Sequence, residues 1–105
     1  MESILILVNS APSSSNVCEA FDLAVRLRQQ GYLVSVFLIQ DAVLAAVEGS
    51  LAGRLAPDID CYALDEDLAL RGFAAQQLAP GVRAAGYSAL VELMLERHDK
   101  VIGAL

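Results

Sequence analysis

The chain has 105 residues, a length that suits one domain burying roughly two thirds of the surface its unfolded form exposes. Hydrophobic residues make up 56% and charged residues 19%, against a usual apolar share of about 45–50%; this excludes a disordered chain and points to apolar surface covered by another subunit. Thirteen acids against seven Lys and Arg give a formal net charge of −6, so direct binding to a nucleic-acid backbone is not expected.

The pattern then runs in chain order. Ser3 to Val8 is a nearly continuous run of branched apolar residues, the mark of a strand covered on both faces. It has no basic leader, cleavage site or apolar run of about 18 residues, so neither a secretory signal nor a membrane span is expected. A polar loop, "NSAPSSSN", follows. Asn16 is placed to cap the next helix, with Glu19 closing a capping box. Val17, Ala20, Phe21, Ala24 and Leu27 recur at helical spacing, and Gly31 supplies the stop. "YLVSVFLI" reads as a second buried strand, completing a βαβ unit with parallel strands and a right-handed crossover.

Asp41 is placed to cap a second helix, "AVLAAVEG", continuing toward Arg54. It is apolar on nearly every side, which makes it the first candidate for a subunit interface. Asp58 to Ala63 reads as a third strand. Asp65 to Leu70 reads as a third helix, with Asp65 as its cap, Glu66 and Asp67 at its positive end, and Arg71 with Gly72 closing it. Gln76 to Gly81 is a connection containing Pro80, Val82 to Ala85 a short fourth strand, "YSALVELMLERH" an amphipathic helix and "KVIGA" a last strand. The expected fold is α/β: a single domain over residues 1–105, a mostly parallel sheet with helices on both faces.

"YALDEDLALRG", Tyr62 to Gly72, resembles the DsrE/DsrF/DsrH superfamily of sulfur-relay proteins, and within it the DsrH/TusB-like branch. The positions that carry the resemblance there are Tyr62, Leu64, Glu66, Asp67, Arg71 and Gly72. "FLIQDAVLAAVEG" is similar to the same branch's Gln-Asp-Gly-Val block through Gln40 and Asp41, with Ala42 in place of the usual glycine. "GYSALVELMLERHDKVIG" resembles its closing helix and strand, whereas Ile4 to Tyr32 is more like the broader DsrE type.

The resemblance implies a cytoplasmic α/β subunit that assembles with itself or with DsrE/DsrF-like paralogues. Such assemblies receive sulfur from a small sulfur-carrier protein, and serve tRNA thiolation or sulfur oxidation. In the active DsrE-type subunit the sulfur-carrying cysteine lies eight residues before the glycine of the Arg-Gly pair. Counting back from Gly72 reaches Leu64, so the resemblance implies a partner subunit without turnover of its own and without a cofactor.

The residues themselves leave alternatives open. Cys61, at a strand end near Leu64, is either a small core residue or a persulfide carrier, and the second role requires access and a lowered pKa. Cys18 sits early in a helix whose dipole favours a thiolate, although Glu19 beside it opposes one. Neither cysteine belongs to a disulfide framework, which suits a reducing compartment. Ser13, Ser14, Ser15 and Asn16 are candidates for cradling a small anion, but the segment has no glycine and lacks P-loop spacing. Asp65, Glu66 and Asp67 point in different directions on a helix and do not converge on a metal. His98 is the one histidine; near a helix end it reads as a dipole-stabilised cation or a surface residue. One histidine and two separated cysteines cannot supply a closed four-ligand zinc site from those types, and a Ser-His-Asp arrangement has no GxSxG elbow to support it.

Overall fold

The computed structural model describes residues 2–9, 15–47, 58–74 and 77–104. Its strands are β1 Ser3–Val8, β2 Leu33–Leu38, β3 Asp60–Leu64, β4 Val82–Ala85 and β5 Lys100–Ala104. They form one sheet in the order β4-β3-β2-β1-β5, and every neighbouring pair is parallel. The expected α/β architecture is present.

Alternation along the strands sends the two sets of side chains to different layers. Ile4, Ile6 and Val8 of β1, Val34, Val36 and Leu38 of β2, and Cys61 and Ala63 of β3 share one apolar cluster. Helix α1, Ser15–Gln29, covers that face through Val17, Ala20, Phe21 and Ala24. A 3₁₀ helix, Gln40–Ala46, and helix α2, Asp65–Leu70, join it through Val43 and Leu68. Leu5, Phe37 and Leu64 face the other way. They pack against Leu90 and Leu93 of α3, which runs as an α-helix over Tyr87–Glu92 and as a π-helical turn over Leu93–Arg97.

Connectivity explains why the faces differ. From β1 to β4 each new strand is added on the same side of its predecessor, so right-handed crossovers keep α1, the 3₁₀ helix and α2 on one face. From β4 the chain returns across the sheet to β5, and the same handedness places α3 on the opposite face.

The helix ends show both the reach and the limits of local signals. At the end of α1, the Tyr32 amide donates to the Leu27 carbonyl at 3.2 Å and the Gly31 amide to Arg28 at 3.1 Å. At the end of α2, Phe73 donates to Leu68 at 3.0 Å and Gly72 to Ala69 at 3.1 Å. Both are Schellman motifs, with Gly31 and Gly72 at φ +99° and +79° where a side chain would be strained. The expected starts differ. Ser15 is already helical, which puts Asn16 inside the first turn instead of at the cap. Leu64 precedes α2 without a side-chain cap, so Asp65 is its first helical residue.

The second expected helix departs most. It is a tight 3₁₀ segment preceded by Ile39, with Asp41 in its first turn, and the extension toward Arg54 lies outside the described residues beyond Val47. Ala42, Val43, Ala45 and Ala46 are fully buried in the chain's own core, and Leu44 is the one large hydrophobic of the segment that is exposed, at 36%. Small side chains let it lie close to the sheet, so Ala42, Val43, Ala45 and Ala46 are buried by the chain itself and Leu44 is left facing outward. The third strand is also displaced, starting at Asp60 and ending at Leu64.

Candidate functional site

The Gln40, Asp41, Asp67 and Arg71 side chains or backbone meet where β2 and β3 end. Gln40 has φ 52°, the one positive value among the described non-glycine residues. Its backbone amide donates to Asp67 Oδ2 at 2.7 Å. Asp67 lies in the first turn of α2 and is buried, so a charge-assisted bond holds a backbone conformation that costs about 1–2 kcal/mol for an L-residue. Arg71, one helical turn later, donates from Nη1 to the Asp67 carbonyl at 3.2 Å and from Nη2 to Asp41 Oδ1 at 2.8 Å. Its Nη1 also lies 3.6 Å from Asp67 Oδ1. The network ties the exit of β2 to the helix after β3.

Strand carboxyl ends are where open α/β sheets place ligand sites. At this end, however, the last residue of β3 is Leu64, only 1% exposed and packed with Leu5 and Phe37. Cys61 lies three residues earlier on the opposite face, 4% exposed within the helix-covered cluster. Burial pushes its thiol up to about 12 from an ordinary 9.0, the reverse of what thiolate chemistry needs. Cys18 is exposed in α1. Ser13 and Ser14 of the polar loop lie outside the described residues, while Ser15 and Asn16 open α1.

The remaining signature residues take separate roles. Tyr62 stacks on Phe37 with ring centroids 5.7 Å apart, Glu66 points to solvent, and Gly72 completes the cap of α2. Among the described residues no group of three His, Cys, Asp or Glu side chains could hold a metal ion.

A second polar constellation, at the opposite ends of the strands, was not legible in the sequence. His98 Nδ1 lies 2.8 Å from the Leu93 carbonyl and Nε2 lies 2.9 Å from Ser35 Oγ. A carbonyl only accepts, so Nδ1 carries hydrogen, and in the neutral ring the Ser35 hydroxyl donates to Nε2. His98 is half-buried at the helix end where the sequence places it, and it pins the end of the π-helical turn to β2. A cavity of about 200 Å³ beside it is lined by Ser35, Asp60, Tyr62 and Arg97. The imidazole's second nitrogen is occupied by a main-chain carbonyl and not by a carboxylate, so the pair does not form a Ser-His-Asp triad.

Comparison with known proteins places this geometry. The DsrH-like protein family matches residues 13–101, nearly the whole chain. The chain belongs to the DsrH-like family. It thus falls in the DsrE/DsrF/DsrH sulfur-relay superfamily that its signature block suggested. Protein TusB of Erwinia tasmaniensis is 39% identical over 82 residues, covering 76% of this DsrH-like chain and 85% of that protein. The ychN protein from E. coli superposes with a TM-score of 0.84 at 26% identity, covering 98% of this chain and 99% of that one. MTH1491 from Methanobacterium thermoautotrophicum, described as a protein of unknown function, has a TM-score of 0.81 at 15% identity over 98% and 99% of the two chains, a likeness of fold alone. No described helix of the DsrH-like chain is long and apolar enough to cross a membrane.

Proposed function

We propose that this chain is a non-catalytic, oligomeric subunit of a cytoplasmic sulfur relay that serves tRNA thiolation or sulfur oxidation. It works with copies of itself or with DsrE/DsrF-like paralogues, and with a small sulfur-carrier protein upstream. The observation that carries this reading is Leu64. It stands where the resemblance expects a sulfur-bearing cysteine, and it is sealed in the core. The nearest thiol, Cys61, is walled off on the other face with its ionisation suppressed. Among the described residues, the ends of β2 and β3 carry the Gln40–Asp67–Arg71–Asp41 network, which shapes backbone and offers no nucleophile.

The test is to mix the purified chain with a persulfurated carrier, without reductant, and to follow native and covalent mass together. Assembly with no added sulfur, and an unimpaired relay after Cys61→Ser, are the expected results. Sulfur on Cys61 would overturn the reading. Sulfur on the exposed Cys18 would replace it with the alternative of a persulfide carrier.

A further inference from the structure

Among the described residues the two faces of the sheet are covered unequally, and α3, on the thinly covered face, has an apolar side of its own. Tyr87, Val91 and Leu95 are 53%, 50% and 77% exposed, and they follow one another at four-residue spacing along α3. A π-helical turn closes its hydrogen bonds five residues apart and so rotates less per residue than an α turn. The turn over Leu93–Arg97 therefore keeps Leu95 in line with Tyr87 and Val91 instead of carrying it round the helix. Beside this apolar row runs a second one at the same spacing, Ser88, Glu92 and Glu96, all exposed. Arg97 pairs with Glu92 at 3.3 Å, and Glu96 makes no ion pair among the described residues.

We propose that this side of α3 docks an amphipathic helix of a partner protein that carries Lys or Arg along one edge of its apolar face. The proposal rests on the reading of the chain as an interaction subunit. Anchors spaced four residues apart are the pattern by which one helix reads another, and the flanking carboxylates supply the charge preference. A second copy fits poorly. An antiparallel two-fold pair would lay the Ser88–Glu92–Glu96 rows of both copies on the same side of the seam, and the net charge of −6 adds to the repulsion between them.

The probes are two synthetic helical peptides with the same leucine row, one flanked by lysine and one by glutamate, titrated into the intact chain by calorimetry. The lysine peptide is expected to bind saturably, more weakly as salt rises, and at least about tenfold tighter than the glutamate peptide. Leu95→Glu should abolish binding, and Glu92→Lys with Glu96→Lys should invert the preference. Both variants are solvent-facing, and their urea midpoints check that the fold is kept. Absent binding, equal binding of the two peptides, or binding indifferent to these variants overturns the proposal. So does a self-associated species in sedimentation that Leu95→Glu dissolves. A reconstituted sulfur relay separates the two readings: one that needs the chain but tolerates Leu95→Glu overturns the surface alone, and one indifferent to the chain overturns the subunit reading.

Discussion

Among the described residues, one face of the sheet carries three helical segments and the other carries α3. On the first, Ile6, Val8, Leu38 and Ala63 are fully buried by residues of the chain itself. On the second, Leu7, Ile39 and Tyr62 stay half-buried around a smaller cluster. The first face therefore holds most of what keeps the isolated chain folded. The second has apolar surface left over, and its helix is fastened by a polar pin between His98 and Ser35. High apolar content in a small protein is thus not spread evenly, because crossover handedness decides which face receives the helices.

Paired truncations on the two faces test the contrast most strongly. Leu38→Ala should cost about 2–5 kcal/mol as lost transfer energy and a cavity. Leu7→Ala, only half-buried, should cost distinctly less. Urea unfolding reads both, and equal losses would remove the energetic difference between the faces.

The strand-end network comes next. Asp67→Ala leaves the Gln40 amide without its acceptor and removes the longer of Arg71's two carboxylate contacts, and should lower stability by about 1.5–3 kcal/mol. Gln40→Gly relieves the left-handed strain and should restore up to about 1 kcal/mol in either background. If the glycine variant is the less stable protein, Gln40 is not strained as described.

Alkaline pH probes the sealed face through Cys61. Its folded pKa, about 12, lies above the unfolded 9.0, so the folded state holds the proton longer. The associated stability is fully present below pH 9 and is lost as pH rises toward 12, at up to about 1.4 kcal/mol per unit. Cys61→Ala should flatten that slope in urea midpoints measured across the range. Native alkylation should label Cys18 and spare Cys61, and a reversed order would contradict the burial.

The smallest effect is expected at the pin. Ser35→Ala removes the hydroxyl facing His98 Nε2 and should cost about 0.5–1.5 kcal/mol. Hydrogen exchange should quicken at the end of α3 more than in α1. Uniform quickening would mean that the pair does not hold that helix locally.

Some of this was readable in advance because the controlling interactions are short-range in sequence. The α2 segment is legible to within one residue at its start and at its observed end, since its acid-rich first turn and Arg-Gly end act within a few residues. The 3₁₀ segment reads in sequence as a longer helix apolar on nearly every side, because hydrophobic pattern reports that a residue is buried and not what buries it. The strand-end site was half legible. Gln40, Asp41, Asp67 and Arg71 were singled out by resemblance, but their meeting depends on β2 and β3 being neighbours. The Ser35–His98 contact joins residues 63 positions apart, with no local signature at either end.

By itself the sequence determined the alternation of strands and helices, the glycine-ended caps, the acidic charge and the absence of a cysteine at position 64. Each follows from local conformational preference, spacing or composition. The tertiary structure alone decided that Cys61 is sealed, that Asp67 turns inward to a strained amide, and that α3 is the one described helix on its face of the sheet. Those outcomes depend on which elements become neighbours, and strand order and crossover handedness set that only once the sheet assembles.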